Sequence, residues 1–500
     1  MKFLQLTFAA ATLTDLCSAG EQGVSTDLKR HIVGSPRPSR RRASATLPAD
    51  LSPMLDEFVR ENGLVGIAAF AASSDAICAV GCAGNLSATV PGIFPSHSPP
   101  VDLWSSPWHG GSLTKSMTAS LAALLIKDEK IALEWETTLG EVFPEAKYTP
   151  YENVTLEQLS NHRGGFRKDV IEKPEDMDQL SGGTLVQQRR GVALFGFTTD
   201  PAVAPGKGFI YSDFGYTILG SMMEQRTGAA WENLITERLF RPLGMDSAYF
   251  GCPDTLHAPT GHFFDKNTGG LLPMHPGPGG WCGCAVNYTE TCFCDIPPAG
   301  GPAGNVYMQL GDYIRYYQWH LAGDREDGGD SASRRDLLSA EEFRRLHKPS
   351  GSANESEMFP LSGYGNGWAM REVTDLFGEH DVLWHTGSSQ FMWSAEVYVA
   401  PQSDRVLFVA SNSMFSKTGL QVSFDSVFAD MMSSVNKTCD GTMIDDLDKS
   451  RDPGMHDECP TEILGSFDAE GNTQSDAWKN RLQLLPALLS SFFAAKYLLQ

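Results

Sequence analysis

The 500-residue chain has no excess of basic residues and no long uninterrupted apolar run. Its 39 lysines and arginines are outnumbered by 61 aspartates and glutamates, a balance that argues against a nucleic-acid partner and against binding to an anionic membrane surface. Polar residues and Lys496 interrupt the apolar C-terminal stretch, which is therefore too short for a typical transmembrane helix. A hydrophobic content of 41% is sufficient for one large domain or two modest ones.

The N-terminus has the features of a secretory signal. Lys2 precedes the apolar run 3–11, and small residues at 17–19 offer a cleavage site, so we predict a signal peptide over residues 1–19. The alternative is an apolar helix of the mature fold. Export also agrees with five glycosylation sequons, which predict a secreted or extracellular glycoprotein; their asparagines are Asn85, Asn153, Asn287, Asn354 and Asn436.

C-x-x-C pairs, the more usual spacing of zinc-binding cysteines, are missing. A C-x-C…C-x-C cluster is present instead, formed by Cys282, Cys284, Cys292 and Cys294. We favour disulfides over zinc there, because an oxidising compartment converts thiols to disulfides, and we expect no metal site and no cofactor. Cys439 and Cys459 are predicted to pair locally. Removal of the signal leaves nine of the ten cysteines, so one is odd and the full pairing stays open.

The composition divides the chain into segments. Residues 20–48 form a predicted disordered basic leader, either a cleaved propeptide or an uncleaved tail. The main domain is predicted over 49–435, with a Cys-rich insertion at 252–300 interpreted as a long loop held by disulfides. An acidic linker follows over 436–480. The apolar segment 481–500, preceded by small residues at 475–477, fits a GPI-anchor signal and hence membrane attachment, or alternatively a packed or peripheral helix.

Apolar runs at both ends of the main domain predict strands. Residues 64–71 and 76–81 predict a hairpin, and so do 393–400 and 405–412, which flank a turn of polar residues. The stretches between them have mostly helical patterns. We therefore predict an α+β fold, an antiparallel sheet flanked by helices with a helical lobe inserted.

The candidate nucleophile lies in the stretch Gly110-Gly111-Ser112-Leu113-Thr114-Lys115, followed by a run of small and apolar residues. That run predicts a buried helix with Ser112 at or near its N-terminus, where backbone N–H groups favour negative charge. Lys115 follows three residues later, on the same helical face. A buried amine beside a serine hydroxyl lowers the cost of its deprotonation. The alternative interpretation is a capped core helix.

Two further motifs carry polar side chains. Tyr211 and Asp213 lie two residues apart in a turn bracketed by glycines, which can present both side chains to a cleft. His385, Thr386 and Gly387 precede the last predicted strand pair, where a strand edge could supply a backbone N–H and Gly387 would let a substrate approach closely. Each residue also has an ordinary structural interpretation, as a core tyrosine, a helix cap or a strand-end histidine.

In this order the motifs resemble those of the serine beta-lactamase-like family, which includes class C beta-lactamases, penicillin-binding D-alanyl-D-alanine carboxypeptidases and related esterases. The family's S-x-x-K, Y-x-N and K/H-x-G motifs are matched by Ser112/Lys115, Tyr211-Ser212-Asp213 and His385-Thr386-Gly387. The stretches 155–162, 215–220, 242–245 and 302–305 are also similar to the family, and the resemblance covers roughly residues 50–430.

The resemblance implies a serine hydrolase of the beta-lactamase/transpeptidase-like fold that acts on a small-molecule or peptide ester or amide through an acyl-serine. It implies Ser112 as nucleophile, Lys115 and Tyr211 as the proton-transfer pair, and Asp213, His385, Thr386 and Gly387 as substrate-binding residues. The Ser112 N–H and one from the strand after His385 would form the oxyanion hole. Two departures stand out: Asp213 replaces an asparagine, and Arg163-Gly164 replaces Thr-Ser. The alternative is a catalytically inactive relative that serves as a binding or surface protein.

Overall fold

The computed structural model describes residues 47–89, 98–168, 183–251, 258–266, 269–276, 281–283, 292–293, 295–323, 337–350, 362–378, 381–389 and 391–438. The predicted signal peptide, most of the leader, nearly all of the linker and the C-terminal segment lie outside these ranges, as do Asn287, Asn354, Cys439 and Cys459. The chain divides after residue 44 into two units, and the described residues all belong to the second.

Helices occupy most of the middle of the described chain. In order they are α1 (Ser52–Asn62), α2 (Thr114–Lys127), α3 (Leu139–Val142), α4 (Leu156–Ser160), α5 (Leu185–Phe197), α6 (Asp213–Thr227), α7 (Trp231–Ile235), α8 (Arg241–Leu243), α9 (Gly301–Gly304), α10 (Leu310–Gly323), α11 (Ala340–His347), α12 (Thr374–Phe377) and α13 (Asp425–Thr438). Short 3₁₀ turns lie at Gly111–Leu113, Pro144–Ala146 and Pro298–Gly300, and a π turn at Thr236–Phe240. Within these ranges no helix combines the length and apolar character needed to cross a membrane.

The strands form three sheets. They are β1 (Ala49–Asp50), β2 (Gly66–Ala72), β3 (Ile77–Gly84), β4 (Pro107–His109), β5 (Tyr249–Phe250), β6 (Gly261–Asp265), β7 (Gly270–Pro276), β8 (Trp281–Gly283), β9 (Cys292–Phe293), β10 (Val306–Gln309), β11 (Gly363–Tyr364), β12 (Ala369–Glu372), β13 (Asp381–Gly387), β14 (Ser394–Ala400) and β15 (Arg405–Ser411). The main sheet has the order β1-β3-β2-β15-β14-β13-β12-β11. Its pairs are antiparallel except β1–β3.

The main sheet is covered by helices on both faces. Side chains alternate between the faces along a strand, so Val406 and Phe408 of β15 pack with α2 and α10, while Leu407 and Val409 pack with α1 and α13. All four of these side chains are fully buried. Burial on both faces explains why β15 reads as a nearly continuous apolar run.

The predicted fold class is confirmed, as are both hairpins. β2 pairs with β3 and β14 with β15, each antiparallel, and β15 then pairs with β2, which joins the two ends of the domain in one sheet. The helical lobe lies between them in sequence. Phe195 of its α5 forms a tilted ring pair with Phe214 of α6, and Phe166 stacks on Phe214. The lobe's last short helix ends at Gly244, whose left-handed φ of 69° makes it a helix C-cap.

The interpretation of residues 252–300 as a loop is wrong where the structure describes them. β6, β7, β8 and β9 form a four-stranded antiparallel sheet, with Gly261 opposite Met274 and Asp265 opposite Gly270. The Gly- and Pro-rich composition hid these strands, because those residues are depleted from strands in general. Pro273 is nevertheless accommodated opposite His262 in β7.

Candidate active site

Ser112 lies in the 3₁₀ turn that leads into α2. Every residue from Thr114 to Leu125 is buried, so this helix is enclosed on all sides, as its run of small and apolar residues predicts. The turn holds Ser112 at the entrance of the helix, and the Lys115 Nζ lies 2.9 Å from the Ser112 Oγ. The three-residue spacing therefore places an amine within hydrogen-bond distance of the hydroxyl.

The Lys115 ammonium is enclosed by oxygen atoms. Its Nζ donates to the Ala303 carbonyl at 2.7 Å and lies 2.6 Å from the Asp213 Oδ1. The Lys115 side chain is fully buried, whereas 30% of the Asp213 side chain is exposed. Burial lowers the pKa of Lys115, but the Asp213 carboxylate and Tyr211 outweigh it, so the net pKa is raised. Lys115 is therefore an ammonium at neutral pH, and Asp213 is the anion that keeps it so.

Tyr211 lies next to the same ammonium, with the Lys115 Nζ 4.7 Å from the centre of its ring. Burial raises the pKa of Tyr211, and the Lys115 charge together with hydrogen bonds to Lys115 and Ser112 only partly opposes this. Tyr211 is thus a neutral phenol at rest. This protonation state disfavours a resting phenolate and is compatible with a proton relay.

The start of α6 positions both Tyr211 and Asp213. Ser212, between them, is the N-cap: its Oγ accepts from the Gly215 N–H at 2.8 Å and donates to the Arg167 carbonyl at 2.5 Å. Asp213 is the first residue of the helix. The chain passes here from an extended segment into a helix. The side chains of Tyr211 and Asp213, two positions apart, therefore both face Lys115.

His385 is buried at the end of β13. Its Nε2 lies 3.1 Å from the Tyr364 hydroxyl and its Nδ1 lies 2.8 Å from the Thr386 carbonyl, so Nδ1 carries the proton and Nε2 accepts. Burial, and secondarily the Lys115 charge, lower the pKa of His385 to about 3. The imidazole is neutral at physiological pH and offers no charge to a substrate carboxylate. Thr386 donates its hydroxyl to the Ala395 carbonyl of β14 at 3.2 Å.

Gly387 allows close approach of the protein's own backbone, whereas the sequence suggested close approach of a substrate. A Cβ on this residue would lie 1.9 Å from the Gly110 carbonyl oxygen, so the space is taken by the loop before Ser112 and not left to a substrate. A Cβ on Gly111, whose φ is +50°, would lie 2.5 Å from the Ser388 nitrogen. Both glycines are needed because two stretches of backbone lie against each other here.

This close approach places the Ser388 nitrogen beside Gly111, the residue before the candidate nucleophile. The Ser388 N–H follows β13, and the Ser112 N–H lies 3.2 Å from the Cβ position of Gly387. Outside the helices and strands of the described residues, neither N–H donates to a backbone carbonyl. Two such donors beside a serine hydroxyl are the arrangement that stabilises an oxyanion during acyl transfer.

Two residues of the site were not assigned a role from the sequence. His162, at the end of the family-like stretch 155–162, has a φ of 63° and accepts the Ser212 N–H at its Nδ1. Its ring lies 4.3 Å from that of Tyr211, and burial together with the nearby Lys115 and His385 lowers its pKa well below the usual value. Tyr364, bonded to His385, lies in the short strand β11 and carries no sequence signal.

No group of three or more His, Cys, Asp or Glu in the described ranges is arranged to hold a metal ion. The site instead combines a serine hydroxyl, an ammonium, a phenol, a carboxylate and two backbone N–H groups. These are the parts that nucleophilic acyl transfer requires, namely a nucleophile, groups that move its proton and a cradle for the oxyanion.

A family model described as Beta-lactamase matches residues 100–426, which is more than half of the chain. The chain is 25% identical over 317 residues to penicillin-binding protein 4 of Amycolatopsis lactamdurans, covering 61% of this chain and 72% of that protein. It is also 25% identical over 326 residues to an unguisins hydrolase of Aspergillus campestris, covering 62% of this chain and 53% of that protein. The chain therefore spans only about half of the fungal hydrolase.

Among solved structures, the D-amino acid amidase of Ochrobactrum anthropi SV3 in complex with D-phenylalanine matches with a TM-score of 0.55 and 17% identity, covering 77% of this chain and 98% of the amidase. At this identity the likeness concerns the fold alone. It agrees with the eight-stranded sheet and inserted helical lobe described above.

Proposed function

Because the chain belongs to the beta-lactamase family, we propose that it is a secreted serine hydrolase that cleaves an ester or amide through an acyl-Ser112 intermediate. The observation that carries the proposal is the contact between the Lys115 Nζ and the Ser112 Oγ at 2.9 Å, in a buried site with Tyr211 beside it. The relatives support the reaction class, since one is named a hydrolase and another a penicillin-binding protein.

The proposed reaction starts from a form in which the Lys115–Asp213 pair has released one proton. Neutral Lys115 then accepts the Ser112 proton as Oγ attacks the substrate carbonyl, and the N–H groups of Ser112 and Ser388 bind the oxyanion. Tyr211 donates its proton to the leaving group and regains one from Lys115. Water attacks the acyl-enzyme by the reverse route, which releases the acid and restores the Ser112 hydroxyl.

The charges of the site favour a substrate without a carboxylate near the scissile bond. His385 stands where many relatives that bind carboxylate-bearing beta-lactams have a lysine, and it is neutral. Asp213 adds a negative charge that the usual asparagine lacks, and 30% of its side chain is exposed. We therefore propose a neutral or cationic ester or amide, a small molecule or a peptide, as the substrate class.

Secretion and glycosylation belong to the same proposal. Asn153 is exposed in a turn, where a glycan can be attached. Attachment to a membrane through residues 481–500 stays a prediction.

The test is intact-mass analysis of the purified protein after treatment with a fluorophosphonate and, separately, with a penicillin. We expect one fluorophosphonate adduct, mapping to Ser112 and absent from Ser112→Ala, and little or no penicillin adduct, because the site offers no positive charge to the penicillin carboxylate. The matched control is Ser116→Ala, which removes a buried hydroxyl one turn further along α2 and should leave labelling intact. No adduct on a folded sample would instead favour an inactive relative that binds its ligand without cleaving it.

A further inference from the structure

Behind the oxyanion site lies a second polar cluster that the proposed reaction does not use. It consists of His109, Asp295 and Ser389, all at most 5% exposed. The Asp295 Oδ2 lies 3.0 Å from the His109 Nε2, and the Asp295 Oδ1 accepts from the Ser389 Oγ at 2.7 Å. The three residues come from distant parts of the sequence, and none belongs to the motifs that carry the family resemblance.

Hydrogen bonds fix the protonation of His109. The Gly111 N–H donates to the His109 Nδ1 at 2.8 Å, so Nδ1 is an acceptor and the ring proton is on Nε2, facing Asp295. The His109 Nε2 and the Asp295 Oδ2 are 3.0 Å apart but do not meet hydrogen-bond geometry, and neither has a hydrogen-bond partner among the described residues. Aromatic rings hold the imidazole in place, with Tyr307 at 5.3 Å and Trp393 at 5.9 Å between ring centres.

The Asp295 carboxylate thereby connects to both backbone segments of the oxyanion site. Through His109 it holds Gly111, the residue before Ser112. It also accepts a hydrogen bond directly from Ser389, the residue after Ser388. Ser112 and Ser388 are the two residues whose N–H groups bind the oxyanion in the proposed reaction.

We propose that Asp295, His109 and Ser389 form a brace that sets the positions of the Ser112 and Ser388 N–H groups and so determines the strength of the oxyanion hole. The brace rests on the proposed function, because it acts only if Ser112 is the nucleophile. Its members are positioning residues, since none of them touches the reacting atoms. Donors placed in advance stabilise the transition state without reorganisation, and small displacements of such donors reduce rates strongly.

Asp295→Asn is the sharpest variant. An amide that keeps its oxygen toward Ser389 and the Ile296 N–H must turn its NH₂ toward the His109 Nε2. His109 then has to carry its proton on Nδ1, where it opposes the Gly111 N–H. We expect a fall in kcat of about ten-fold or more with KM unchanged, because the oxyanion contact is made in the transition state.

The ratio of the rates with an ester and with its thionoester distinguishes a role in the oxyanion hole from a merely structural role, which would leave this ratio unchanged. Sulfur is a larger and weaker hydrogen-bond acceptor than oxygen, so an ordered oxyanion hole prefers the oxygen ester. We expect that preference to shrink in Asp295→Asn and in Ser389→Ala, which removes one contact of the brace and keeps the other. The rate of fluorophosphonate reaction with Ser112 should fall in parallel.

The matched control is Asp312→Asn, at a buried carboxylate that also accepts from a serine, Ser247, but lies outside the site. An unchanged ester preference and labelling rate in both brace variants overturns the brace, and so does an equal loss in Asp312→Asn. Absence of a Ser112 adduct in the unaltered protein overturns the proposed function itself. If Asp295→Asn does not fold, as judged by circular dichroism, Ser389→Ala decides.

Discussion

At the scale of single residues, Asp213 determines the resting state of the site. Its carboxylate lies 2.6 Å from the Lys115 Nζ and keeps that buried amine charged. A charged lysine cannot accept the serine proton, so activity requires that the pair first lose a proton. The sequence substitution of Asp for Asn is thus a change in the pH at which the enzyme becomes active, more than a change in shape.

We predict that kcat/KM rises with pH through the raised pKa of Lys115, and that Asp213→Asn shifts this rising limb to lower pH. Without the carboxylate, burial dominates and lowers the pKa of Lys115, so more of the neutral base is present at pH 7. Turnover at neutral pH should be preserved or raised. The measurement is the pH profile of kcat/KM for both proteins.

A large loss of turnover in Asp213→Asn, with the rising limb unmoved, would contradict this assignment. It would mean that the carboxylate itself accepts or positions a group of the substrate. Asp312→Asn serves again as the control for the loss of a buried carboxylate elsewhere.

The sequence predicted the residue-scale pairs that depend on local geometry. The three-residue spacing of Ser112 and Lys115 on one helix determines their proximity. It gave no means of finding Tyr364 or Asp295, because their contacts join residues more than twenty positions apart that share no pattern. A long-range contact between single polar residues produces no periodic pattern in the sequence, so it cannot be predicted from one.

At the scale of elements, one buried arginine joins three helices of the lobe. Arg189 of α5 bonds Glu224 of α6 through Nε and Nη2, at 3.0 and 2.7 Å, and Glu232 of α7 through Nη1 and Nη2, at 2.9 and 2.7 Å. Burial raises the pKa of Glu224 despite this partner. The cluster fixes the angles of the helices, and its carboxylates depend on the guanidinium for their charge.

We predict that Arg189→Met lowers the free energy of unfolding by about 3–5 kcal/mol, because it leaves two carboxylates without their buried partner. Chemical denaturation followed by circular dichroism measures this loss. The neighbouring Arg190→Met breaks only an exposed pair with Glu145 and should cost about 0–1 kcal/mol. Equal losses in the two variants would show that the buried cluster contributes no more to the free energy of unfolding than the exposed pair.

Element prediction from sequence succeeded where one periodicity dominates. The apolar runs of β2, β3, β14 and β15 and the uniformly small, apolar α2 were readable because burial enforces their patterns. Prediction failed for β6 to β9, where glycine and proline interrupt the strand pattern and pairing across the sheet outweighs local preference.

At the scale of the whole molecule, the predicted secretion of the protein can be tested directly. Expressed through a secretory pathway, it should lose residues 1–19 and gain N-linked glycans, which N-terminal sequencing and the mass difference after N-glycanase treatment measure. Asn153→Gln should remove the mass of one glycan, whereas Asn62→Gln, outside any sequon, should not. An unglycosylated protein that retains its N-terminus would contradict export.

The order of the main sheet has a consequence for the synthesis of the protein. β15 lies between β2 and β14, so the last strand of the described residues is the one that joins the first hairpin to the strands behind Ser388. A nascent chain that already contains Ser112 and Lys115 still lacks the partner surface for its nucleophile until residue 411 has left the ribosome. The proposed hydrolytic activity therefore requires synthesis of the chain through β15, and chains that end before Ser411 are expected to be inactive.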